Sequence, residues 1–245
     1  MKNTAIIIPI RLEAKRFPNK PLAKINNIPM IIHVLNRAKE SKVGRVLVAT
    51  PDEEIVKIVE KNGGEAVLTK KNHPSGSDRV YEAYLKKLEN KVDLIINLQG
   101  DMPNIKPSAI LKLKELMKKN DCDIGTLASI IKKTSEVKDP NVVKVEVIDE
   151  LTKDSFMKAT DFFRTKNDLN NRKTYHHVGI YAFTTAALTK YVMLSRAKLE
   201  IERNLEQMRA MENNLVIKVG LCEDAPLGVD TEKDLHDIIK EMKLK

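Results

Sequence analysis

The 245-residue chain has no tryptophan, and aromatic residues make up only 4% of it. Its core must be built from Ile, Leu, Val, Ala and Met, and it offers no aromatic platform on which the bases of a nucleic-acid strand would stack. The two cysteines, Cys122 and Cys222, form no CxxC pair. That excludes the common zinc sites and a disulfide framework, and each reads as a structural thiol. No segment approaches the roughly 20 apolar residues of a membrane span. The apolar run Ala5-Ile6-Ile7-Ile8 is too short for a signal-peptide core and lacks a cleavage site. A cytoplasmic protein with no membrane partner is expected. The chain has no Gly/Ser or Pro-rich linker and no repeat, so one domain over residues 1–245 is expected.

What is present is positive charge. Lys and Arg number 43 against 34 Asp and Glu, a formal net charge of +9. Such a balance suits either nucleic acid or small anions such as nucleotides. The lysines are scattered, as in Lys112, Lys114, Lys118 and Lys119, and read as solvated helix faces. No nucleic-acid partner is expected.

Strand-like and helix-like runs alternate. Strands are expected at Thr4–Pro9, Gly44–Thr50, Glu65–Leu68 and Leu94–Gln99, then at Asp123–Ile131, Val142–Ile148, Gly179–Phe183 and Val216–Leu221. Helices are expected at Pro29–Glu40, at Asp52–Asn62 with Asp52 as N-cap, and at Asp78–Leu88, Ser108–Lys119, Ile201–Glu212 and Thr231–Met242. Thr165–Lys173 reads as a loop. Continuous apolar strands between helices predict an α/β fold with a mostly parallel central sheet flanked by helices. Ligands of such sheets bind beyond the carboxyl ends of the strands, here after Ile8, Thr50, Leu68 and Leu98.

The first of these loops, Pro9–Leu22, carries Arg11, Lys15, Arg16 and Lys20 directly after the first strand. It has no Walker or dinucleotide glycines. Guanidinium forks and a lysine point charge are what a triphosphate requires, and Pro18 and Pro21 stiffen the loop.

The spacing R-x4-R-x-P-x-K-P-L from Arg11 resembles the sugar-nucleotide cytidylyltransferases, those acting on 3-deoxy-manno-octulosonate in particular. The segments His73–Arg79, Asn97-Leu98-Gln99-Gly100-Asp101 and Gly228-Val229-Asp230-Thr231 extend the resemblance in order. Milder matches lie at His177–Tyr181 and Leu205–Arg209. The resemblance implies a single Rossmann-like nucleotidyltransferase domain. It implies that Arg11, Arg16 and Lys20 hold the triphosphate of CTP, that Ser75, Gly76 and Arg79 lie on the cytosine and ribose side, and that Gln99 is close to the nucleotide. Asp101 and Asp230 match the family's Mg²⁺ ligands. Lys158, His177, Tyr181, Glu206 and Gln207 match residues that contact an acidic sugar. Arg11, Lys20, Asp101 and Asp230 are then the catalytic set. A homodimer is also implied, with Thr184 through Met193 a candidate interface.

Each residue has a plainer reading. Ser75 or Ser77 suits a helix cap, Asp230 a cap ahead of the last helix, Gln99 a strand-end hydrogen bond, and Tyr181 a half-buried strand face. Three departures from the family stand out: Met102 replaces an acidic residue, Lys158 replaces an arginine, and Asp161–Tyr175 lacks a tryptophan. The expected reaction is transfer of CMP from CTP to an acidic sugar, 3-deoxy-manno-octulosonate first among them. Alternatives are an 8-amino or sialic-acid type acceptor, or a nucleotide-binding module without catalysis.

Overall fold

The apolar run that opens the chain forms β1 (Thr4–Pro9), whose six residues are all buried. Both faces of such a β-branched strand need cover, so it lies inside a sheet. The computed structural model describes residues 3–13, 16–120, 122–132, 134–165 and 173–243. These form two compact units, Met1–Leu111 with Pro226–Lys245, and Lys112–Ala225.

In the first unit a 3₁₀ turn (Lys20–Leu22) follows β1, then a hairpin of β2 (Lys24–Ile25) and β3 (Ile28–Pro29), then α1 (Met30–Glu40). Next come β4 (Arg45–Thr50), α2 (Glu53–Lys61), β5 (Ala66–Leu68), α3 (Gly76–Lys87) and β6 (Leu94–Leu98). The strands lie in the order β5-β4-β1-β6, all parallel. The chain passes out of this unit within α4 (Pro107–Lys119).

The second unit contains β7 (Ile124–Ser129), α5 (Thr134–Lys138), β8 (Lys144–Val147), β9 (Phe156–Phe163), β10 (Lys173–Thr184), α6 (Thr185–Val192), α7 (Lys198–Arg203), α8 (Met208–Glu212) and β11 (Ile217–Leu221). Its pairings run β10-β7-β11-β9-β8 and return from β8 to β10, a closed circuit. Only β11 with β7 is parallel; the other pairs in the circuit are antiparallel. The α/β class holds, and the strand arrangement is mixed. α9 (Glu232–Lys243) belongs to the first unit.

Three expectations need correction. β10 is twelve residues long, not the short Gly179–Phe183 strand. Its first part, Lys173–His176, pairs with β8 and has no strong apolar signature of its own, while the remainder pairs with β7. Phe156–Phe163 is a strand, concealed by the polar residues Lys158, Thr160 and Asp161. The periodic run Ile201–Glu212 is not one helix. Asn204 adopts a left-handed conformation (φ 50°) and separates α7 from α8, a conformation Asn tolerates. Of the expected loop Thr165–Lys173, residues 166–172 lie outside the described residues.

Candidate active site

The expected site residues fall into two groups, one in each unit. In the first unit the parallel strands end on a common side, and Pro9, Thr50, Leu68 and Leu98 each lead into a loop there. The basic loop is tied down at both ends. The N–H of Leu12 donates to Asp52 Oδ2 at 2.8 Å, and the N–H of Asn19 to the Leu12 carbonyl at 3.1 Å. Asp52 stands at the N-cap position of α2 but makes no side-chain cap bond, because its carboxylate serves this loop. Asn19 turns the chain with a left-handed φ of 56°, and buried Pro21 stiffens the 3₁₀ turn.

This turn delivers Lys20 Nζ to 3.1 Å from Asp101 Oδ2 and 3.3 Å from Asp230 Oδ1. Arg16 Nη2 lies 2.9 Å from Asp230 Oδ2. Arg11 is exposed. The two carboxylates are far apart in sequence and share one ammonium. The N–H of Val229 donates to the Asp101 carbonyl at 3.0 Å and holds the two segments together. Ile25, Met30, Val229 and Ile238 form a fully buried cluster, with Phe17, Leu235, Ile239 and Met242 packed on it. Each such buried side chain contributes about 1.5–3 kcal/mol.

Asp230 is not the cap of the last helix. Thr231 and Asp234 provide the cap instead. Asp234 Oδ2 accepts from the N–H groups of Asp230 (3.0 Å) and Thr231 (2.8 Å), and the Thr231 hydroxyl accepts from the N–H of Asp234 at 3.2 Å. The Thr-x-x-Asp spacing is a capping-box signal visible in the sequence. With the cap so provided, the Asp230 side chain is left to the cations.

Two carboxylates that a single ammonium already bridges are a fitting donor set for Mg²⁺. This ion takes one or two carboxylates and fills its other positions with phosphate oxygens and water. Among the described residues no group of three or more His, Cys, Asp or Glu side chains gathers to hold a metal unaided.

Ser75 does cap a helix. Its Oγ accepts from the N–H of Asp78 at 3.4 Å and donates to Asp78 Oδ2 at 2.6 Å. Gly76 lies against Pro9 and Gln99, so a Cβ there would stand 3.6 Å from the Pro9 ring and 3.7 Å from Gln99 Oε1. Gln99 Nε2 donates to Asn97 Oδ1 at 3.0 Å, and Asn97 Nδ2 to Ser77 Oγ at 3.3 Å. Arg79 is buried and spans the turn after β5, donating to Thr69 Oγ1 (2.5 Å) and to the carbonyls of Lys70 (3.0 Å) and Lys71 (3.2 Å). Burial, and after it the charge of Arg11, holds the Arg79 guanidinium below its ordinary pKa. An anion beside these two cations would relieve that repulsion.

In the second unit His177, Tyr181 and Glu206 come together. Gly179 and Ile180 bulge out of the β10–β7 register. Two extra residues preserve the alternation, and the His177 and Tyr181 rings lie 5.4 Å apart between centroids. Thr126 Oγ1 donates to the Ile180 carbonyl at 2.7 Å and lies 3.0 Å from His177 Nε2. A hydroxyl whose proton is given away accepts from the imidazole, so Nε2 carries the proton of a neutral ring. Burial, then the charge of His176, pushes the His177 pKa down to about 3. Burial, then the Glu206 charge, raises the Tyr181 phenol well above its ordinary value, so it stays a hydrogen-bond donor. Gln207 is buried at the start of α8.

Lys158 does not join this group. It is exposed and lines a separate cavity of about 500 Å³ with Ile148, Thr160, Met211 and Asn214. Sequence reading gave Asp52 only a helix-capping role and missed the supporting residues Asp234, Thr126, Glu200 and Arg209. Of these only Asp234 had a local signal.

A family model described as Cytidylyltransferase matches residues 5–219. The 3-deoxy-manno-octulosonate cytidylyltransferase of Bartonella tribocorum is 42% identical over 236 residues, 96% of each chain. That of Afipia carboxidovorans is 44% identical over 236 residues, 96% of this chain and 94% of its own. A solved CMP:2-keto-3-deoxy-manno-octonic acid synthetase complexed with CTP has a TM-score of 0.89 at 33% identity, covering 99% of both chains. Likeness of this extent takes in both units, and the chain belongs to the cytidylyltransferase family of enzymes.

Proposed function

We propose that this enzyme transfers CMP from CTP to the anomeric hydroxyl of 3-deoxy-manno-octulosonate, releasing pyrophosphate and supplying an activated sugar for lipopolysaccharide biosynthesis. The observation that carries the reading is the junction of Lys20, Arg16, Asp101 and Asp230, where a basic loop meets two carboxylates within 3.3 Å of one ammonium. A nucleoside triphosphate with a divalent cation matches that juxtaposition of charges. The names of the relatives supply the base and the acceptor.

Arg11, Arg16 and Lys20 neutralise the triphosphate. Ser75, Gly76, Arg79 and Gln99 form the cytosine and ribose side, with Arg79 setting the turn at 69–71. Asp101 and Asp230 would hold Mg²⁺, which lends positive charge to the phosphates. His177, Tyr181, Glu206 and Gln207 hold the acceptor, without Lys158, which lines a separate cavity. Neutral His177 and protonated Tyr181 add no charge beside an acidic sugar. The sugar hydroxyl attacks the α-phosphorus, the bond from that phosphorus to the bridging oxygen breaks, and the hydroxyl proton is released. The residues act by positioning and by offsetting charge. Residues 1–245 are read as one Rossmann-like cytidylyltransferase domain, working as a homodimer in the cytoplasm. Among the described residues no helix is long and apolar enough to cross a membrane.

The test is pyrophosphate release from CTP and Mg²⁺ over a panel of acidic sugars, beside Asp101→Ala. Release with 3-deoxy-manno-octulosonate, reduced on the order of 100-fold or more in the variant, is the expected outcome. Release with another acidic sugar alone would transfer the specificity to that sugar. CTP binding without release from any acceptor would overturn the reading.

A further inference from the structure

Glu206 and Gln207 stand at the junction of α7 and α8, helices of six and five residues. Helices so short do not hold themselves in water, so packing around them must fix the junction. Arg209 and Glu200 have side chains exposed by only 2% and 3% and meet in a two-pronged pair, Nε to Oε2 at 2.9 Å and Nη2 to Oε1 at 2.7 Å. Glu200 also accepts from the N–H of Ala197 at 3.1 Å and from Arg196 Nε at 3.2 Å. Burial alone would raise the Glu200 pKa, but the bonds from Arg209 bring it below the ordinary carboxylate value. The pair is therefore ionised and spans α7 and α8.

The Arg209 guanidinium also lies 4.8 Å from the ring centre of Tyr191 in α6, a cation–π distance. This fixes the ring, and the ring fixes its hydroxyl. Tyr191 Oη donates to the Glu206 carbonyl at 2.9 Å, with Glu206 Oε1 at 3.4 Å as a second acceptor. The carboxylate so placed is the one whose charge reaches the Tyr181 phenol. A chain of contacts thus leads from a buried ion pair, through one aromatic ring, to a residue that faces the acceptor in the reading above.

We infer that Tyr191, held by the Arg209–Glu200 pair, is a positioning residue that sets Glu206 against the acidic sugar and so governs acceptor affinity without touching either substrate. The inference rests on the proposed function, because it needs Glu206 to meet the acceptor.

Tyr191→Phe tests it, since the ring over Arg209 remains and only the hydroxyl goes. The probe is whichever acidic sugar the wild-type protein couples to CTP. The expected result is an acceptor KM raised about 3- to 10-fold, the worth of one hydrogen bond, with the CTP KM within about twofold. In a cycle with Glu206→Gln, the double variant should lose no more than Glu206→Gln alone, because the hydroxyl acts through that residue. An unchanged acceptor KM overturns the role. So do losses that add in the double variant, or a rise of both KM values together with a lowered melting temperature, which is the mark of a plain packing residue. A wild type that couples no acidic sugar to CTP overturns the transferase reading itself, in a different arm of the experiment, and removes the positioning role with it.

Discussion

Gly100 shows how narrowly one residue is specified. A Cβ added there would stand 2.4 Å from Ile10 Cδ1 and 3.2 Å from Ile10 Cβ and Cγ1. Ile10 opens the loop that carries Arg11, Arg16 and Lys20, so the displaced group is the root of the cation cluster. Gly100→Ala is expected to cost about 1–3 kcal/mol of stability by overpacking and to raise the CTP KM at least about tenfold through misplacement of the loop, with a smaller change for the acceptor. Steady-state kinetics and thermal melts check both; a variant with wild-type CTP kinetics would show that the loop accommodates the methyl group. In the sequence Gly100 stands out only as a member of Asn97–Asp101. Its distant neighbour Ile10 is not readable there, because the approach depends on β1 and β6 pairing in parallel.

At the scale of elements, α9 decides where Asp230 stands. Its Thr231–Asp234 cap and its buried Ile238 fix its start and its inner face. Ile238→Ala should destabilise by about 2–5 kcal/mol and raise the Mg²⁺ concentration needed for half-maximal pyrophosphate release. Denaturant melts and a metal titration would show whether the two effects travel together; lost stability with an unchanged metal requirement would mean Asp230 is held by its cations alone. This helix was legible, since its apolar residues recur at helical spacing and its cap has a local pattern. α7 and α8 were not. The run Ile201–Glu212 has the right period for one helix, yet the buried Arg209–Glu200 pair and the left-handed Asn204 break it. Local propensity differs by under about 1 kcal/mol between the two outcomes, and a tertiary ion pair outweighs that. β9 and the first half of β10 were missed for a related reason. Both pair with β8, a strand that was itself expected at Val142–Ile148, but no local pattern announces which segments pair with it.

For the whole molecule, acid should be felt in two stages. Folded His177 takes up its proton only near pH 3, against an ordinary 6.5. Between those values the unfolded chain binds more protons, so stability falls as pH drops through that window. Glu82 is shifted the same way. Burial would raise it, but hydrogen bonds from Lys86, the N–H of Lys70 and His73 bring it to about 2 from 4.5, so its contribution is present above pH 4.5 and lost as pH falls toward 2. Urea melts over a pH series should show stability declining below about pH 6.5 and more steeply below 4.5. His177→Gln should flatten the first stage and Glu82→Gln the second; a wild type equally stable at pH 7 and pH 5 would contradict the assignment of His177. The α/β class and the loops beyond β1, β4, β5 and β6 were legible from alternating apolar runs. The mixed, mostly antiparallel circuit of the second unit was not, because strand direction is set by long-range pairing. The first unit is also written in two pieces, Met1–Leu111 and Pro226–Lys245. On a ribosome adding about 5–20 residues per second, Asp101 waits roughly 6–26 s for Asp230. Throughout that interval Ile25 and Met30 lack Val229 and Ile238 as cover. The nascent chain therefore carries its basic loop with only one of the two carboxylates that meet Lys20 and with an open apolar patch, and chaperone protection is needed most during synthesis of the intervening unit.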